Sequence, residues 1–243
     1  MRRIRSTGLL VAVLSAISVG VLLAPGAGAL PATTTSVFDP ANFASGAPID
    51  NPFYPLPVGR TLVYSGIKDG QSQRDTVTVT VQTKVILGVT ATVVSDIADH
   101  DGSLLEKTSD WFAQDKQGNV WYLGEDTAHY LPHGKIDTSG SWEAGVNGAQ
   151  PGIIMESDPQ VPDSYRQEYL VGEAEDTAWV VYRGGTISLP YGKVRNILTT
   201  LEATRFEPGL YDRKVYGPGI GIVFEQALTG PTEYAKLESV TGP

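Results

Sequence analysis

The alternation of apolar and polar positions is the strongest signal in the chain. Across residues 74–87, Val77, Val79, Val81 and Val85 alternate with Thr76, Thr78, Thr80, Gln82 and Lys84. A period of two over that length predicts a β-strand with one buried face. At about 3.3 Å per residue the strand reaches roughly 45 Å, which suits a curved sheet or half-barrel better than a small sandwich. Strand-like runs recur at 61–67, 89–96, 103–115, 165–171, 175–182, 187–206, 213–228 and 234–240. Polar turns such as Asp69-Gly70, Asp101-Gly102 and Gly184-Gly185 separate them. No helical period of 3.6 appears outside the first residues. The expected fold is all-β: an antiparallel meander of ten or more strands, curved into a sheet, half-barrel or barrel.

The densest stretch is 110–126, DWFAQDKQGNVWYLGED, with two of the four tryptophans. It reads as a hairpin whose loop is Lys116-Gln117-Gly118. That register pairs Asp115 with Asn119, Ala113 with Trp121, Trp111 with Leu123 and Phe112 with Tyr122. Aromatic residues then occupy both faces, so both should be covered and the hairpin should lie centrally. The same register puts Asp115 and Glu125 on the tryptophan face and Asp110 on the other.

The ends of the chain are different in kind. Arg2, Arg3 and Arg5 precede an uncharged apolar run, and Ala27-Gly28-Ala29 follows it. This is the pattern of a secretory signal peptide over 1–29. Residues 30–50 are rich in Thr, Ser, Ala and Pro and read as a flexible lead-in. Residues 51–243 then form a single β-domain. Its first segment, NPFYPLPVG, is held extended by three prolines. Phe53, Tyr54 and Leu56 could plug the domain edge.

The net charge of −9 disfavours nucleic acid and anionic lipid as partners. The chain has no cysteine, which removes disulfides, thiolate metal sites and lipid attachment through a thioether. The expected protein is therefore secreted or otherwise extracytoplasmic, without a stable membrane anchor after cleavage of the leader.

The phrases NPFYPLPVG (51–59), DWFAQDKQGNVWYLGED (110–126), SWEAGVNGAQPGIIM (141–155), YRQEY followed by GEAED (165–169, 172–176) and YGPGIGIVFE (216–225) resemble a family of exported bacterial β-rich proteins without established activity. That resemblance implies an exported β-domain over nearly all of 51–238 and transfers no catalytic residue. The layout also resembles curved-sheet envelope proteins that hold an apolar ligand, a likeness of fold only.

Candidate chemistry is sparse. Carboxylates beside aromatic platforms are what a glycosidase uses, which makes Asp115 and Glu125 candidate catalytic acids for an extracellular glycan hydrolase. His129 and His133 could share zinc on a helix, but Pro132 opposes the helix, and on a strand they stand about 13 Å apart. The acids Asp96, Asp99 and Asp101 around Gly102, and the run 173–176, lack the spacing of a calcium loop. No G-x-S-x-G elbow or P-loop occurs, and no metal or cofactor is expected. The long loop at 141–155 is the best candidate for binding, through Trp142, Glu143, Asn147, Gln150 and Met155. The leading expectation is a non-catalytic binding or structural protein of the cell envelope or exterior, with a small apolar or carbohydrate ligand.

Overall fold

The computed structural model describes residues 37–243. The expected leader at 1–29 and the first part of the lead-in lie outside the described residues. Strands β1 (Thr61–Lys68), β2 (Gln71–Ile86), β3 (Val89–His100), β4 (Ser103–Gln114) and β5 (Val120–Leu131) form a meander of hairpins. Three short strands, β6 (Lys135–Asp137), β7 (Trp142–Glu143) and β8 (Gln150–Met155), line the free edge of β5. After β9 (Ser164–Arg166) and β10 (Glu168–Tyr169), a second meander runs through β11 (Asp176–Leu189), β12 (Gly192–Thr204), β13 (Asp212–Gly217), β14 (Gly221–Ala227) and β15 (Tyr234–Thr241). Pairing of β15 with β1 joins the two meanders into one 15-stranded antiparallel sheet, nearly closed into a barrel. Among the described residues no helix is long and apolar enough to cross a membrane.

A single segment brings the two free edges together. The run expected as one strand at 165–171 is two, because its residues serve different neighbours. Ser164–Arg166 pairs with β11, and Glu168–Tyr169 pairs with β8. The approach is close: a Cβ on Gly152 of β8 would lie 2.3 Å from the Gln167 backbone. This segment is the seam of the barrel.

Alternation fails at two bulges, and each changes which side chains are inside. Between Val79 and Thr83 the β2–β3 register slips, with Thr80 Oγ1 donating to Val93 O and accepting from the Gln82 N–H. Val79 is fully buried, whereas Val81 is 84% exposed and Val85 also faces solvent. The expectation of one valine face along the whole strand is thus corrected. In the central hairpin, Phe112 pairs with Tyr122 and Ala113 with Trp121, as expected. Beyond them Asp110 pairs with Glu125, so Leu123 and Gly124 together stand opposite Trp111. Gly124 carries this bulge at φ 131, and a Cβ there would lie 2.3 Å from the Trp142 carbonyl oxygen. One extra residue flips every later side chain. Glu125 therefore joins Asp110 on the inner face, not Asp115 on the tryptophan face.

The outer face of the hairpin is covered by the N-terminal segment. Phe38 and Phe43 pack on Trp121 with centroids 5.3 and 6.3 Å away. The backbone Lys116 N–H donates to Asn42 O at 2.9 Å. The lead-in expected to be flexible up to residue 50 is docked from residue 38 onward, because those rings bury against Trp121. Residues 51–57 then cross one mouth of the barrel. Asn51 Nδ2 donates to Gly118 O and Glu156 O, and Pro52 O accepts from the Gly219 N–H. Tyr54 reaches in, its ring 5.4 Å from Phe112 and 6.4 Å from Tyr216.

Candidate functional site

The inner face of the barrel is a packed layer of tyrosines and carboxylates. Tyr122 stacks on Phe112 at 4.8 Å and directs its hydroxyl to Asp110 Oδ1 at 2.7 Å and Glu125 Oε2 at 3.0 Å. A phenol has one proton, so only one carboxylate can receive it; the other must bring its own proton to the phenol oxygen. Asp110 has the matching shift. Burial, opposed by the Tyr122 hydrogen bond, pushes its pKa up to about 7. Across the barrel Lys214 Nζ lies 2.7 Å from Glu202 Oε2. Burial alone would lower the Lys214 pKa, but Glu202 and then Glu225 outweigh it and hold it above the usual lysine range. The Glu202 carboxylate also accepts from Thr200 Oγ1 at 2.9 Å and the Tyr216 hydroxyl at 3.2 Å. Tyr54 caps the layer. Burial raises its pKa, and so do the negative charges of Asp110, Glu202, Asp96 and Glu225.

The two acids offered as catalytic do not come together. Asp115 closes the hairpin turn. Its carboxylate accepts from the backbone N–H groups of Gln117 and Asn119 and from Asn119 Nδ2, each at 2.9 Å, and from Trp121 Nε1 at 2.8 Å. Glu125 is sealed on the opposite face against Tyr122, 1% exposed. Four donors on Asp115 and near-complete burial of Glu125 suit turn formation and core packing.

The loop at 141–155 is an anchor more than a mouth. Trp142 is 4% exposed and stands edge-on to Tyr122 at 5.3 Å. Met155 is fully buried. Glu143 pairs with Lys84 Nζ at 2.8 Å, and that ammonium sits 3.3 Å above the Trp111 ring centre. Asn147 is a turn residue at φ 51. Gln150 is exposed, and its Oε1 accepts from Arg166 Nη2 at 2.9 Å. His129 does not approach a second histidine; its Nδ1 lies 3.2 Å from Glu106 Oε2.

The Gln150–Arg166 contact leads to a cleft of about 330 Å³ on the outside of the seam. Its floor is the outer row Arg166–Thr177–Ala203, paired across β9, β11 and β12. The inner row one residue away is Tyr165–Ala178–Glu202, so the cleft and the polar layer lie back to back through the same strands. Trp179, Tyr169 and Tyr211 form its walls. Arg205 is engaged by Glu175, with Nη2 donating to Oε1 at 2.7 Å and Nε against Oε2. Arg166 lies with its guanidinium 4.2 Å over the Tyr169 ring.

Of the wall residues, sequence reasoning weighed only Glu175, as part of the acidic run 173–176. Trp179 is the tryptophan outside both aromatic phrases, and that isolation was the available signal. Arg166 and Tyr169 sit in a run read for its alternation and its family resemblance, neither of which points to binding.

No family model and no curated protein matches the chain. Two solved structures are similar in layout. One is a protein from Bacteroides fragilis whose name calls it exported and gives it a YmcC-like fold. It is 15% identical, with a TM-score of 0.45, covering 78% of this chain and 99% of that one. The other, from Parabacteroides distasonis, is named as a lipoprotein. It is 12% identical, with a TM-score of 0.41, covering 79% of this chain and 100% of that one. Likenesses of this size define no family, and function has to come from the chain's own residues.

Proposed function

We propose that the protein is a non-catalytic binding protein of the cell exterior, and that it holds a carbohydrate in the seam cleft. The observation that carries this reading is the contrast between a barrel interior filled by Tyr54, Tyr122 and Tyr216 and an outer cleft walled by Trp179, Tyr169 and Tyr211. Rings with polar edges, interleaved with the hydroxyls of Thr177 and Thr204, offer a sugar both an apolar face and hydrogen-bonding partners. The exterior location rests on the leader pattern at 1–29. An apolar ligand inside the barrel is disfavoured by the charged and phenolic groups that occupy it. Hydrolysis is disfavoured as well: the cleft walls hold one carboxylate, Glu175, already paired with Arg205.

The test is calorimetric titration of the purified protein with a panel of oligosaccharides, beside Trp179→Ala. Micromolar to millimolar binding that Trp179→Ala abolishes is the expected result. A variant that binds as well as the wild type, or a lipid co-purifying by native mass spectrometry, would overturn the reading.

A further inference from the structure

The cationic side of the cleft narrows the ligand. In a chain of net charge −9, the cleft walls carry two guanidinium groups and one carboxylate. The two arginines are not equivalent. Arg205 has both edges of Glu175, whose side chain is 9% exposed, so its charge is met within the protein. Arg166 is half-buried on the strand that closes the barrel. It has one hydrogen bond, to the neutral Gln150 amide, and one ring beneath it, Tyr169. No described carboxylate forms an ion pair with it, and the Glu175 charge reaches it only from a distance.

A guanidinium presents five N–H donors in a fixed fork and stays charged. Half-burying it against neutral partners is costly unless an anion completes the site. Stacking on Tyr169 fixes the plane of the fork, and Gln150 holds one edge. The free edge is left to meet a planar acceptor with two oxygens, which is the geometry of a carboxylate. Its neighbours on the floor and walls are Thr177 and Trp179, the hydroxyl and ring assigned above to the sugar.

We infer that the ligand of the seam cleft is an acidic saccharide, a sugar bearing a carboxylate, and that Arg166 reads that carboxylate while Trp179 and Tyr169 contact the ring. The inference rests on the saccharide reading of the cleft. Gln150 is a positioning residue that sets the edge of the fork Arg166 presents.

The experiment titrates the full chain with trisaccharides of three different uronic acids, with their neutral counterparts made by reducing the carboxyl groups, and with a sulfated neutral trisaccharide. At least one uronate should bind about tenfold more tightly than its reduced counterpart, the gain expected of one charge-assisted contact. Arg166→Gln should bring the two to the same affinity while leaving the neutral sugar unchanged. Arg166→Lys keeps the charge and loses the fork, and should forfeit most of the preference. An unchanged melting temperature in both variants excludes a folding defect.

Equal binding of acidic and reduced sugars, or a preference that survives Arg166→Gln, overturns the inference and leaves the saccharide reading standing. A sulfated sugar bound as tightly as the uronate overturns the carboxylate assignment. If no saccharide binds, the reading of the cleft itself falls with it.

Discussion

Inside the barrel, Tyr122 joins Asp110 and Glu125, and Lys214 pairs with Glu202. Outside, through the same strands, Tyr169 underlies Arg166 and the partly buried Trp179 lines the cleft with Arg205. Both regions put aromatic rings beside charge. These inner groups face one another at hydrogen-bond distance. The outer ones border a cleft of about 330 Å³ and include a guanidinium without a counter-charge in contact. Aromatic residues beside acids are thus a poor guide to a site. Whether the polar groups are already partnered is a better one.

The largest test of that contrast is Lys214→Met. Lys214 is 1% exposed, and its removal leaves Glu202 and Glu225 without their cation. Breaking a buried pair from one side costs about 3–5 kcal/mol. The urea midpoint should fall accordingly, and a Lys214→Met/Glu202→Gln double variant should recover part of the loss, since the Lys214 and Glu202 charges are gone while that of Glu225 remains. If Lys214→Met is as stable as the wild type, the inner layer is held by protons and not by this pair.

The two tryptophans that sequence reasoning treated differently give the next test. Trp142→Ala should cost about 3–5 kcal/mol, since it empties a buried site against Tyr122. Trp179→Ala should cost less, about 1–2 kcal/mol, because its ring is only partly buried. Saccharide titration should rank them the other way, with Trp179→Ala losing binding. Equal stability costs with equal binding would erase the distinction between anchor and wall.

The carboxyls taken out of water by the fold should also respond to pH. Burial, the leading cause each time, raises the pKa of Asp75 to about 6 and those of Asp110, Glu156 and Asp212 to about 7. Between pH 4 and 7 the folded chain then keeps protons that the unfolded chain releases. Their contribution to stability is full at the acid end of that window and is lost as pH rises through the folded values. Glu106 opposes the trend at the acid end: burial raises its pKa, but His129 and Lys68 hold it below the usual range. The melting temperature at pH 8 should lie below that at pH 5 by roughly 5–10 °C. Asp110→Asn should flatten the profile. A melting temperature that rises across the window would mean these carboxyls ionise freely in the fold.

Much of this architecture was legible. The period of two located β1 to β5, and the Lys116-Gln117-Gly118 loop fixed the near half of the central hairpin. The side chains of Phe53, Tyr54 and Leu56, expected to plug the domain edge, pack against the barrel core. Of the expected binding residues, Gln150 touches the proposed cleft, through its hydrogen bond to Arg166. Two physical causes hid the rest. Bulges have no strong signature in residue type, so Glu125 was placed on the wrong face by one residue at Gly124. The seam joins β9, β10, β8 and β11 by closure of the sheet, and no local pattern says which edges meet.

The smallest expected effect isolates the first of those causes. By alternation Val79 and Val81 share one face, and replacing either by threonine should cost alike. The bulge separates them, with Val79 fully buried and Val81 84% exposed. Val79→Thr buries a hydroxyl among apolar neighbours and should cost about 1–3 kcal/mol. Val81→Thr should stay within about 0.5 kcal/mol of the wild type, since its side chain meets water in both states. Urea denaturation of the two variants measures the difference directly. Matching losses would mean that the slip between Val79 and Thr83 is absent in solution, that the valine face runs unbroken along β2, and that the far end of the β2–β3 hairpin turns its other side outward.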